Sequence, residues 1–193
     1  MKKIFLSLLI MSTTIFISVA QSSLSLNYLN IGNGDCSNWN SGIGLQGKIQ
    51  LKNQLYLLPD VGYFFESVET EYRSQNEHWR RADSYLFANI NLAYSLLKPE
   101  KSFNLIPYIG AGYYHDFEKR HRFSKGTGQY PNGAPYNWFD EFSTAKVMVN
   151  AGVLAELFVT NNVFFTVGCK YMIDVYDGNS HIPYLNAGIG YKF

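Results

Sequence analysis

Four histidines, a few serines and two arginine-rich clusters are the side chains of this 193-residue sequence whose types invite chemistry. His115, His121 and His181, with Ser124 and Ser180 nearby, contain the parts of a nucleophile and its base. Such a pair needs hydroxyl and imidazole within hydrogen-bond reach and a third group that orients the ring. Ser180 and His181 are consecutive, so along a strand they point to opposite faces. That spacing predicts no catalytic site. The basic clusters offer different chemistry. Arg73, His78, Trp79, Arg80 and Arg81 form one, and Glu118 to Lys125, with Trp138 further on, forms the other. Guanidinium groups grip phosphates in bidentate fashion, and arginine with tryptophan is the usual material of binding hot spots. Arg80, Arg81, Lys119, Arg120, Arg122 and Trp138 are therefore the candidate recognition residues. Asp116, Glu118, Asp140 and Glu141 supply the opposing charge that an ordinary solvated segment would carry. No histidine–cysteine cluster with metal-ligand spacing occurs, so neither a metal nor a cofactor is expected.

The elements that must hold these residues begin after a leader. Lys2 and Lys3 precede an apolar stretch from Ile4 to Ile17, followed by Ser18-Val19-Ala20. A charged start, an apolar middle and a small-x-small end predict a secretory signal peptide over 1–20. One domain is expected over 21–193. Losing Lys2 and Lys3 leaves 14 basic side chains against 15 acidic ones, a balance that excludes nucleic acid as the partner. Aromatics at 17%, mostly Tyr and Phe, favour strands. No later apolar run approaches the roughly 18 residues of a spanning helix. A closed barrel remains the other way for a chain to cross lipid.

Period-2 alternation predicts eight strands. Ile43, Leu45, Ile49 and Leu51 alternate with Gly44, Gln46, Lys48 and Gln50. Leu86, Ala88, Ile90, Leu92, Tyr94 and Leu96 alternate with Asn89, Asn91 and Ser95. Val163, Phe165, Val167, Cys169, Tyr171, Ile173 and Val175 alternate with Thr166, Gly168, Lys170 and Asp174. The last strand sets Leu185, Ala187, Ile189, Tyr191 and Phe193 against Asn186, Gly188, Gly190 and Lys192. Connections after strands two, four and six are short. Those after one, three, five and seven are longer, at about 33–41, 70–81, 118–141 and 177–181, a two-sided asymmetry characteristic of bacterial outer-membrane barrels. The fold expected is all-β, an eight-stranded antiparallel up-and-down transmembrane β-barrel.

Pro107-Tyr108-Ile109-Gly110-Ala111-Gly112-Tyr113-Tyr114, Asn150-Ala151-Gly152-Val153 and the end Asn186-Ala187-Gly188-Ile189-Gly190-Tyr191-Lys192-Phe193 carry a resemblance. They resemble the small outer-membrane β-barrel family of the OmpA transmembrane domain and the opacity-type surface proteins. The resemblance covers essentially the whole mature chain and omits the peptidoglycan-binding domain that OmpA carries. It implies an outer-membrane location, with periplasmic termini and extracellular loops. It also implies that Phe193 is the assembly signal read by the barrel-assembly machinery. Lipid and lipopolysaccharide phosphates are then the partners within reach of the loop arginines. The role expected is structural or surface-interacting and not enzymatic. A small channel is one alternative. The other is a lipid A-modifying enzyme, although no motif of those enzymes is recognisable.

An eight-stranded lumen is just wide enough for side chains to fill. The inward parity holds Lys48, Asp60, Glu66, Lys146, Glu156, Lys170, Asp174 and Lys192, four charges of each sign. A mutually neutralising plug is expected from that balance, because buried charge must be paired. Gly44, Gly110, Gly112, Gly152, Gly168, Gly188 and Gly190 share the inward face, with Tyr85, Tyr108 and Tyr114 expected to use the room they leave. Tyr63, Phe65 and Tyr113 at one end of the outward rows, and Tyr94, Phe165, Tyr191 and Phe193 at the other, read as two interfacial girdles. Cys36 in a loop and Cys169 mid-strand are expected to lie too far apart for a disulfide.

Overall fold

A computed structural model describes residues 22–32, 39–74, 77–97, 102–124, 136–176 and 181–193. The expected signal peptide and Cys36 fall outside them. Eight strands form: β1 (Ser23–Gly32), β2 (Trp39–Lys52), β3 (Leu55–Ser74), β4 (Glu77–Tyr94), β5 (Phe103–Ser124), β6 (Tyr136–Phe158), β7 (Val163–Asp174) and β8 (His181–Lys192). Each pairs antiparallel with its chain neighbours, and β1 pairs with β8, so the sheet closes on itself in the expected order.

Alternation explains why closure works. Leu26, Ile90, Ile109, Val167 and Ile189 stand exposed on the outside, while the residues between them are buried. The expected girdle residues all lie on that outer surface. Short connections follow from local chemistry. Asn53, in the turn between β2 and β3, has φ 49, a left-handed conformation that asparagine tolerates better than most residues. At the next turn, Thr160 Oγ1 accepts from the Val163 N–H at 2.9 Å.

Inside, two apolar clusters bracket a polar middle. One gathers Leu29, Phe64, Phe87, Met148 and Tyr184 among others, and the second is built on Tyr56, Leu58, Ile106, Tyr108 and Leu154. Charges join strands across the lumen in pairs, between these clusters and beyond the second. Lys48 on β2 reaches Glu156 on β6 at 2.5 Å, and Lys170 on β7 bonds Asp60 on β3. Both pairs join strands on opposite sides of the ring, so each spans the lumen. Lys146 and Asp174 pair at 3.5 Å near the top. Six of the eight charges expected inside are thus matched.

Two are placed otherwise. A bulge between Phe64 and Ser67 shifts the register of β3, which turns Glu66 to the outside, where it accepts from Lys119 Nζ at 3.3 Å. Lys192 sits half-buried at the rim with no ion pair among the described residues. The glycine expectation is also corrected in part. Tyr108 fills the space over Gly152, where a Cβ would lie 2.5 Å from its hydroxyl. Tyr85 and Tyr114 stack on one another instead (5.4 Å between ring centroids). Asn89, Asn91, Asn186 and Asn27 occupy the notches at Gly112, Gly110, Gly168 and Gly188, because a short amide fits where a phenol would clash.

The largest departure is strand length. Crossing a bilayer takes about 9–11 tilted residues, and β1, β7 and β8 have 10 to 12. β3 to β6 have 18 to 23 and rise well beyond the ring. The expected loops 70–81 and 118–141 are mostly strand, with only 75–76 and 125–135 outside the described residues.

Candidate functional site

The raised ends of β3 to β6 carry the arginines and tryptophans that the sequence places in loops, and register decides which face each one takes. Side chains directly opposite on β4, β5 and β6 form rows. Trp79–Arg122–Trp138, Arg81–Arg120–Asp140, Asp83–Glu118–Phe142 and Tyr85–Asp116–Thr144 follow one another downward. They continue the inward face, since Tyr85 belongs to the packed interior. The alternate rows, His78–Phe123–Asn137, Arg80–His121–Phe139 and Ala82–Lys119–Glu141, continue the outward face. The six candidate recognition residues therefore divide. Arg81, Arg120, Arg122 and Trp138 face inward, and Arg80 and Lys119 face outward.

On the inward face, carboxylates tie down two of the three arginines. Arg81 Nε lies 2.9 Å from Asp83 and 3.0 Å from Glu118, and Glu118 also accepts from Arg120. The Arg120 guanidinium lies 4.8 Å over the Phe142 ring. Arg122 is held differently, 4.3 Å from the Trp79 ring and 4.9 Å from the Trp138 ring. Among the described residues it has no carboxylate partner. Beneath these rows burial pushes the Asp116 carboxyl up to about 6, with Asp83 and Glu118 adding to the rise. Burial also raises Asp83, against the pull of Arg81. The acids thus sit at the floor, and the cation faces at the top.

The outward face holds a groove of about 280 Å³ lined by Glu66, Arg80, Lys119, His121, Phe139 and Glu141, among others. His121 lies flat on Phe139, 4.0 Å between centroids and 3° between planes. Its Nε2–H donates to Asn137 Oδ1 at 2.6 Å, which leaves Nδ1 without the proton in the neutral ring. Arg80 has no ion pair among the described residues, and Lys119 has only the exposed Glu66. An exposed pair of that kind is worth about 0–1 kcal/mol. Both cations are therefore available to an outside anion.

Just above Tyr113 the structure makes a serine–histidine contact that the sequence pairs differently. His115 Nε2 is 2.6 Å from Ser143 Oγ, and its Nδ1 is 2.6 Å from Tyr113 Oη. Ser124 is not the partner, and Ser180 lies outside the described residues. Ser143 was legible only once β6 was known to run beside β5 at this height. If Ser143 donates to Nε2, Nδ1 carries the proton and donates to the tyrosine oxygen. A phenol is a neutral orienter, so the imidazolium that proton abstraction would create gains no carboxylate beside it. The contact is a polar relay on the outer surface, with the ring stacked on Phe117 at 4.3 Å.

Cys169 faces outward as a free thiol. Phe193 is exposed, and its N–H closes the seam by donating to the Ser22 carbonyl at 2.9 Å. Phe142 and Ser143 had no place among the sequence candidates. Their signal is parity, because 138, 140 and 142 alternate on one face only if 136–146 is strand.

No protein-family model and no curated protein matches the chain. Solved structures do. The attachment invasion locus protein Ail of Yersinia pestis shares 14% identity over 90% of this chain and 97% of that one, with a TM-score of 0.53. The N-terminal β-barrel domain of Pseudomonas aeruginosa OprF shares 13% over 89% and 97%, at 0.54. The outer membrane protein OprG of the same organism shares 9% over 91% and 96%, at 0.56. These likenesses establish for this chain the fold of the small outer-membrane barrels.

Proposed function

We propose that this chain is an integral protein of the bacterial outer membrane with a structural or surface-interaction role carried by the raised ends of β3 to β6. On this reading residues 1–20 are removed on export, both termini face the periplasm, and the raised strands project outside the cell. One observation carries it. The ring exposes an apolar outer row and fills its lumen with paired charge, while Arg80 and Arg122, which have no carboxylate partner among the described residues, stand above the ring. A filled lumen favours this role over that of a channel. The absence of a charged orienter at His115 favours it over a lipid-modifying enzyme.

The outward groove favours lipopolysaccharide as the membrane partner. Arg80 and Lys119 continue the lipid-facing surface upward, where lipopolysaccharide carries its phosphates, and bidentate arginine suits that group. The barrel reconstituted in phospholipid vesicles is expected to bind added lipopolysaccharide, more weakly as salt rises. Arg80→Glu with Lys119→Glu should reduce that affinity about tenfold, the equivalent of roughly 1.4 kcal/mol. Undiminished binding by this double variant would sink the lipopolysaccharide assignment. The same vesicles test the rival classes. Persistent single-channel steps would point to a pore, and a lipid mass shift that vanishes in His115→Ala would point to an enzyme.

A further inference from the structure

Above the filled lumen lies a cup of about 300 Å³ lined by Trp79, Arg81, Glu118, Arg120 and Arg122 of the inward rows and, among others, by Glu69 and the outward Arg80. Trp138 backs Arg122 from the β6 side. The stacked Tyr85–Tyr114 layer lies further down the same strands, four residues from Arg81 on β4 and four from Glu118 on β5. We propose that this cup binds a single hexose-sized ring bearing one carboxylate or phosphate. The proposal rests on the reading that the raised strands form the recognition surface, and it names the ligand of their inward face.

Each feature of the ligand answers a feature of the cup. The anion answers Arg122. Stacking between two indoles occupies the faces of its guanidinium and leaves the N–H edge, which is the part that grips an oxyanion in bidentate fashion. Arg81 and Arg120 stand directly opposite one another, and like charges in that relation are destabilising. Glu118 relieves both, and a ligand anion adjacent to them would relieve them further. Asp83 and Glu118 together serve Arg81 and Arg120, which leaves Arg122 as the uncommitted cation of the wall.

The ring answers the tryptophans. Trp138 is 49% exposed, which leaves a flat apolar surface whose π-face is negative and attracts the positive C–H edge of a sugar. Size limits the ligand to one residue, because pockets for larger small molecules run from about 300 to 1,000 Å³ and this one lies at the bottom of that range. A cup of this size also disfavours an extended peptide, which docks along a groove or a strand edge. A terminal sugar enters it end-on.

Both a glycan from another cell and the sugars of the cell's own envelope present such a group, so the test separates them. Purified barrel in detergent would be titrated with glucuronate, glucose 6-phosphate, glucose and inorganic phosphate, with tryptophan fluorescence as the readout. The two acidic sugars should bind at least tenfold more tightly than either glucose or phosphate. Arg122→Ala and Arg122→Lys should each lose about tenfold, since lysine neither stacks nor bridges. Trp138→Ala should weaken the acidic sugars and leave inorganic phosphate unchanged. Equal affinity for phosphate and glucose 6-phosphate would overturn the sugar assignment, and unaltered binding by Arg122→Ala would overturn the site. Competition by purified lipopolysaccharide but not by soluble acidic oligosaccharides would place the source in the cell's own envelope, and the reverse would place it outside. Lys119 lines the outward groove and not the cup, so lipopolysaccharide binding by Lys119→Glu alone succeeds or fails independently of these titrations.

Discussion

Lys170→Ala is expected to cost the barrel about 3–5 kcal/mol, because it leaves Asp60 buried and ionised with nothing opposite. Both side chains are almost wholly removed from solvent, at 1% and 4% exposure. The ammonium also lies 5.0 Å from the Phe87 ring and 4.8 Å from the Tyr184 ring, contacts that alanine removes as well. Asn91 donates to the same carboxylate at 3.4 Å, and one amide cannot replace a cation. The pair need not be net stabilising to behave this way. Bringing two charges out of water costs roughly what their attraction returns, so Lys170→Met with Asp60→Asn should recover most of the loss. Urea unfolding in phospholipid vesicles, followed by tryptophan fluorescence, reads both variants. A loss below about 1 kcal/mol for Lys170→Ala would mean that water reaches the pair. The lumen would then not be filled.

The second large effect is expected at the seam. Gly188 on β8 lies opposite Asn27 on β1, in the ladder that closes the ring. A Cβ there would stand 2.2 Å from the Leu26 carbonyl oxygen and 2.9 Å from the Asn27 Cα. Backbone cannot turn aside as a side chain can. Asn27 is also a polar junction, since its Oδ1 accepts from Thr166 at 2.8 Å and from Asn186 at 3.3 Å. Gly188→Val should therefore cost more than the 1–3 kcal/mol usual for overpacking. The expected readout is loss of the folded, faster-migrating band on an unheated gel. Gly190 is the internal control. A Cβ there meets a side chain and not backbone, the far end of the Phe164 ring at 2.3 Å. Gly190→Ala should be milder than Gly188→Ala, and the opposite order would refute the backbone explanation.

Much of the ring was legible because one face is apolar and the other is not. Leu86 to Leu96 and Val163 to Ile173 alternate without a break, and a one-residue slip would turn every apolar side chain inward. The interior pairs were legible as a balanced set, but not as partners. Lys48 and Glu156 are 108 residues apart, and only closure brings β2 across from β6. Glu66 misled because the bulge after Phe64 resets parity, and no residue type in that stretch announces a bulge. The raised strands were hidden for a different reason. Where both faces meet water, polar residues occupy both parities and the period-2 signal vanishes. Arg80, Arg81, Arg120 and Arg122 therefore read as loop, although opposed charges and stacked rings along Trp79–Arg122–Trp138 hold that segment in register. The site residues were recognised by type. Their division between two faces needed the register.

Cys169 allows the central claim to be tested with almost no alteration. Its thiol points outward midway along β7, opposite Val153 and Leu185 and within the apolar outer row. In a Cys36→Ser background it becomes the chain's sole thiol. If the ring is embedded in a bilayer as proposed, a water-soluble maleimide should leave Cys169 unlabelled in intact vesicles. An apolar, membrane-permeant thiol reagent should label it, and both should label the unfolded chain. Rapid labelling of the folded, vesicle-bound protein by the water-soluble reagent would place that row in water and contradict the account.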